Sequence, residues 1–202
     1  MNKIIPRLLT LAAALTVASA FAQPNPTPPA HVNSTGGNSP HETTSAVIGD
    51  RRTGNRVTIT YGRPYMTKPG TTTPRKVWGS LVAWDKADRL GADEATLLIT
   101  QQPLQIGDVN IPAGAYTLYI VPSENGVTKL AFSSAIGKWG IPVDEKHDVA
   151  RVDLKKDPLE KTVEQLTIAI VNDKSKPDSG VITIAWENTQ FSLPFSVKKS
   201  ST

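Results

Sequence analysis

Arg56-Val57-Thr58-Ile59-Thr60-Tyr61 sets an apolar side chain at every second position and a hydrophilic one between, the period of a strand with one buried and one wet face. The same period returns in Leu166-Thr167-Ile168-Ala169-Ile170 and in Phe191-Ser192-Leu193-Pro194-Phe195-Ser196-Val197. Tyr116, Leu118 and Ile120 mark a further strand, and Ile182, Ile184 and Trp186 line one face of another near the end. Turn chemistry falls between these runs. Asn125-Gly126 is a strong hairpin signal, Gly107-Asp108 suits a two-residue turn opened by glycine, and Pro112-Ala113-Gly114 suits a type I turn launching a strand from Ala115. Pro194 has no N–H to give a neighbour, which marks the last strand as an edge or a bulged one. No segment carries a long amphipathic helical pattern, and Val77 to Leu90 reads as a helical turn or as irregular chain. Many short strands separated by turns predict an all-β fold, an antiparallel β-sandwich with little helix, for which a jelly-roll-like order is one option.

Upstream of these strands the composition changes twice. Lys3 and Arg7 precede an apolar run from Leu8 to Ala18, and Ala20-Phe21-Ala22 has the small-x-small form cut by signal peptidase, so residues 1–22 are expected to be a cleavable secretory signal. That run has about half of the ~20 residues a spanning helix needs, and no later segment replaces it. No transmembrane anchor is therefore expected, and the protein is placed in the periplasm or outside the cell. Residues 23–38 hold Pro24, Pro26, Pro28, Pro29, Gly36 and Gly37 with hardly any large apolar side chain, the composition of a flexible tether. One domain is expected over 39–198, followed by a short disordered tail at 199–202. The chain has no cysteine, which excludes disulfides, a lipid anchor on cysteine and thiolate zinc sites.

Charge narrows the partners. The 22 lysines and arginines, less Lys3 and Arg7 of the signal, face 18 acids, leaving a net charge of about +2. Such a balance gives no warrant for nucleic acid as a partner.

Several groups of residues could carry chemistry. Asp144, Glu145, His147 and Asp148 are the densest set of metal-type ligands, but their spacing matches no metal-binding loop, so they read as a solvated loop and no metal or other cofactor is expected. No Gly-x-Ser-x-Gly elbow, phosphate-cradling glycine loop or His-Glu-x-x-His helix occurs. Tyr61, Arg63 and Tyr65 close one strand, Trp78 and Trp84 follow, and then come Arg89, Asp93 and Glu94. Two arginines can fork a carboxylate or phosphate, and aromatic faces can stack on a sugar or planar group, so Tyr61, Arg63, Tyr65, Trp84, Arg89, Asp93 and Glu94 form the candidate ligand-binding set. The same residues could instead pair and pack as structure. Trp139, Trp186 and Glu187 read first as core and turn residues.

A family resemblance rests on Ser39-Pro40-His41-Glu42, Tyr61-Gly62-Arg63-Pro64-Tyr65, Val77-Trp78-Gly79-Ser80-Leu81-Val82, Arg89 to Thr96, Pro112 to Tyr119, and Ala185-Trp186-Glu187-Asn188. Over about Ser39 to Val197 the chain resembles the DUF2911 family of secreted bacterial proteins without established function. Asp93 stands where the family's Gly-Ala-Asn-Glu has a neutral amide. The resemblance implies a secreted β-rich domain and supplies no reaction, cofactor or catalytic residue. Three readings follow: a non-catalytic binding module for a small molecule, glycan or envelope component; a periplasmic hydrolase or lyase using His41 or His147 with nearby carboxylates; and a structural envelope protein acting through an exposed sheet edge at 191–197.

Overall fold

The computed structural model describes Val32–Asn33 and residues 39–197. Its strands are β1 (Val32–Asn33), β2 (His41–Ile48), β3 (Asn55–Gly62), β4 (Thr96–Thr100), β5 (Leu104–Ile106), β6 (Val109–Ile111), β7 (Gly114–Val121), β8 (Lys129–Ser133), β9 (Asp148–Asp153), β10 (Lys155–Asn172) and β11 (Ser179–Val197). A 3-10 turn at Glu145–His147 is the one helical piece among the described residues. The alternating stretch is β3: Val57, Ile59 and Tyr61 are buried while Arg56 and Thr60 are exposed. Two antiparallel sheets result, seven strands in the order β1-β2-β3-β4-β7-β8-β9 and four in the order β10-β11-β5-β6. Between them lies one core, to which the larger sheet gives Val57, Ile59, Leu98, Leu118, Ile120 and Phe132, and the smaller gives Leu166, Ile168, Ile182, Ile184, Phe191 and Phe195. Trp78 closes one end, edge-on to Phe191 at 5.1 Å and to Trp186 at 6.3 Å between ring centres.

The all-β sandwich is as the sequence predicts, and three details differ. The larger sheet is a meander interrupted by the β5–β6 hairpin, which crosses to the smaller sheet, so the connections are not those of a jelly roll. Pro194 lies on an interior strand, between Ser192, paired with Lys155 of β10, and Ser196, paired with Gln105 of β5. The missing donor is tolerated where pairing passes from one neighbour to the other, Phe191 and Ser192 pairing with β10 and Ser196 and Val197 with β5. The Asn125-Gly126 hairpin exists, but its loop runs over 122–128, where the Ser123 hydroxyl accepts from the Gly126 N–H. Gly107, with φ of 54°, turns β5 into β6, and 77–90 is irregular chain. Within the expected tether, Val32 and Asn33 pair with Glu42 and His41 of β2. The signal, the rest of the tether and the tail at 199–202 lie outside the described residues.

One property of the larger sheet positions the site. Thr43, Thr60, Leu97, Thr117 and Ser133 are successive cross-strand partners, so a single row of side chains crosses β2, β3, β4, β7 and β8 on the outer face.

Candidate functional site

The segment 134–144, between β8 and the 3-10 turn, folds back over this outer face as a strap. Its anchors are specific. The Ser134 N–H donates to the His147 carbonyl at 2.9 Å, the Thr117 hydroxyl donates to the Ala135 carbonyl at 2.8 Å, and the Ala95 N–H donates to the Lys138 carbonyl at 3.3 Å. Gly140, with φ of 86°, lies so close to the sheet that a Cβ there would stand 2.9 Å from Ala95 Cβ and 3.0 Å from Arg89 Cβ. Glycine permits both the left-handed backbone and the contact.

Arg89 sits beneath the strap. Asp88 fixes its position by exchanging two backbone hydrogen bonds of 2.8 Å with Ile120, and its carboxylate accepts from the Leu90 N–H at 3.0 Å. Burial pushes the Asp88 carboxyl up, against the pull of that N–H and of Arg89. Arg89 Nη1 donates to the Asp93 carbonyl at 2.6 Å, and its guanidinium lies 5.5 Å from the centre of the Trp139 ring. Trp139 is nonetheless 56% exposed, and Ile141 beside it 61%.

Three hollows surround the strap. The first, about 490 Å³, is lined by Thr117, Tyr119, Ser133 and the strap itself, with Arg89, Lys138 and Lys146 against Asp144. The second, about 380 Å³, includes Tyr65, Arg75, Asp88, Arg89, Asp93 and Ile141. The third, about 420 Å³, includes His41, Thr60, Glu94, Leu97, Thr117 and Trp139. In it His41 Nε2 lies 2.8 Å from Glu94 Oε2 and 3.9 Å from Asp93 Oδ2. The imidazole side chain is 15% exposed and the Glu94 side chain 65%, so the carboxylate is the outer member. Glu94's own backbone N–H, then the His41 hydrogen bond, hold its carboxyl below the usual value. Asp93 Oδ2 is buried and has no hydrogen-bond partner among the described residues.

The candidate ligand-binding set is thus divided. Arg89, Asp93, Glu94 and Tyr65 border the hollows. Arg63 does not: its Nε lies 2.8 Å from Glu42 Oε2 while that N–H donates to the Leu166 carbonyl at 3.0 Å, and Nη2 donates to the Thr167 hydroxyl at 2.9 Å. Tyr61 is buried, its hydroxyl donating to the Ile168 carbonyl and accepting from the Ile168 N–H, and only its edge reaches the third hollow. Trp84 lies over Gly79, under the Lys156 ammonium, and lines none of these hollows.

The acidic loop is likewise engaged. Arg151 binds Glu145 and Asp148, the Tyr119 hydroxyl donates to Asp148 Oδ2 at 2.5 Å, and His147 Nδ1 faces Asp144 Oδ2 at 3.0 Å. Among the described residues no three His, Asp or Glu side chains are grouped to hold a metal ion. Nor is any described helix long and apolar enough to cross a membrane.

Sequence reasoning missed Trp139 and Lys138 as cleft residues. The available signal was Ile136-Gly137-Lys138-Trp139-Gly140-Ile141, where large apolar side chains alternate with glycines in a stretch too irregular for a strand. A family model described as a protein of unknown function, DUF2911, matches residues 39–195. No curated protein and no solved structure matches the chain.

Proposed function

The chain belongs to the DUF2911 family, whose description assigns no activity, and from the site itself we propose that the protein is an exported, non-catalytic binding module that holds a small anionic molecule with an apolar body. The observation that carries this reading is Trp139, 56% exposed yet seated on Arg89 at the mouth of a hollow of about 490 Å³. An exposed indole beside a fixed guanidinium offers a stacking surface and a charge in one place. Hollows of this size suit a small ligand. Export is supported by residues 1–22, and cell fractionation with N-terminal sequencing tests it: mature protein starting at Gln23 outside the cytoplasm is expected.

Thermal unfolding with glucuronate, benzoate, citrate and phosphate tests binding, since a ligand at a hundred times its Kd stabilises by about 2.7 kcal/mol. At least one of these acids is expected to raise the midpoint of the natural protein and to leave Trp139→Ala unmoved. No shift with any acid, or a shift that survives both Trp139→Ala and Arg89→Gln, overturns the assignment.

The His41–Glu94 contact favours a second reading, acid–base catalysis in the third hollow. The carboxylate is the exposed partner and is held below its ordinary range, which makes it a weak base near neutral pH. Turnover of a 4-nitrophenyl glycoside or ester that His41→Gln abolishes, with folding intact, would replace the binding reading by this one.

A further inference from the structure

We propose that the second hollow is a separate site that takes a free α-amino acid with an aliphatic side chain. Its carboxylate meets the Trp186 N–H and the neighbouring cations, and its ammonium meets Asp93. Four buried side-chain polar atoms have no hydrogen-bond partner among the described residues: Glu42 Oε2, Asp148 Oδ1, Asp93 Oδ2 and Trp186 Nε1. The first two belong to carboxylates already paired with Arg63 and Arg151. The other two, one acceptor and one donor, belong to residues that line this one hollow.

A buried indole N–H ordinarily finds an acceptor. Trp78 does so, giving its N–H to the Trp186 carbonyl at 3.2 Å, while Trp186, only 4% exposed, gives its own to no acceptor among the described residues. Lys68, Arg75 and Arg89 line the same hollow. Arg75 is held through Nε and Nη2 by the Met66 and Tyr65 carbonyls, and Arg89 through Nη1 by the Asp93 carbonyl, so both guanidinium groups are fixed with N–H groups to spare. An unpaired N–H beside fixed cations suits a carboxylate.

The acceptor sets the other half of the ligand. Asp93 Oδ2 lies 3.9 Å from His41 Nε2, too far for a hydrogen bond, and an ammonium supplies both the missing donor and an opposite charge. A simple carboxylate would satisfy Trp186 and leave Asp93 unpaired. Asp88, the other carboxyl of the hollow, already accepts from the Leu90 N–H. Leu81, Val82 and Ile141 supply apolar lining, which suits an aliphatic side chain. Backbone strain gathers here too: Asp93 has φ of 63°, and Leu90 beside Arg89 and Glu187 beside Trp186 have 55° and 56°. Residues held in this region collect at ligand sites.

Titration calorimetry of the natural protein with L-leucine, with 4-methylpentanoate, which lacks the ammonium, and with 3-methylbutylamine, which lacks the carboxylate, tests this. Leucine is expected to bind at least tenfold more tightly than either. Asp93→Asn keeps the size of the side chain and suits a left-handed backbone, so it should fold normally and lower leucine affinity to that of 4-methylpentanoate, whose own affinity does not fall. Trp186→Phe keeps a ring in the core, removes the N–H and should weaken leucine and 4-methylpentanoate alike by about tenfold. Failure of leucine to bind, equal binding of 4-methylpentanoate, or leucine binding that Asp93→Asn leaves unchanged overturns the proposal. The reading of the first hollow is judged apart from these results, since its test turns on Trp139.

Discussion

Arg63 and Glu42 show what a strand-end arginine does here. Both are buried, and the guanidinium reaches from the larger sheet to Leu166 and Thr167 of β10, so the pair ties the two layers together. Burial raises the Glu42 carboxyl above its ordinary 4.5 despite the pull of Arg63. Removing the cation alone leaves that carboxylate buried without its counter-charge, and Arg63→Met is expected to cost about 3–5 kcal/mol, read as a lower urea midpoint. Trp139→Ala, by contrast, removes an exposed side chain and should change stability by no more than about 0.5 kcal/mol. The sequence put Tyr61 on the buried face with Val57 and Ile59, but Arg63 follows in the same rhythm and was legible only as a charge. Whether an arginine binds a ligand or an internal carboxylate depends on which groups the neighbouring strand and the facing sheet bring to it. That information is not local.

The strap over 134–144 and the turn over 88–96 make the site as elements, and both depend on close backbone approach. Gly140→Val would force a β-branched side chain into a left-handed position against Ala95 and Arg89. The expected result is a detached strap: tryptic cleavage after Lys138 becomes faster, the midpoint shift produced by an acid is lost, and the unfolding midpoint falls by only a few degrees because the core is untouched. Gly62 meets the turn still more tightly, since a Cβ there would lie 2.0 Å from the Ala92 carbonyl oxygen. Backbone cannot yield as a side chain can, so Gly62→Ala should cost about 1–3 kcal/mol, measurable by denaturant unfolding. The strands were legible because a period of two survives any arrangement of neighbours. The strap was not, because irregular chain has no period, and Trp139 looks the same in sequence whether it fills a core or stands in solvent.

Over the whole molecule the tyrosines make stability depend on alkaline pH. Burial, first of all, pushes the Tyr61 and Tyr119 hydroxyls well above their ordinary value of 10.0, and the Asp148 hydrogen bond adds to the rise at Tyr119. Folded protein therefore keeps protons that unfolded chain releases. Their contribution is complete below pH 10 and is lost as pH rises above it. Absorbance at 295 nm should show Tyr61 and Tyr119 ionising only together with unfolding, and Tyr61→Phe should make the loss of stability above pH 10 shallower. Period, turn residues and the absence of cysteine were enough by themselves to determine an all-β sandwich stabilised by its core, because alternation and turn geometry act over a few residues. Tertiary structure alone decided that Pro194 stands where the last strand passes from one neighbour to the other, that Arg63 is spent on Glu42, and that Arg89 and the His41–Glu94 pair border two hollows that share Trp139. Each of these depends on contacts between segments 21 or more residues apart, and no local pattern encodes which face of one segment will meet which face of another.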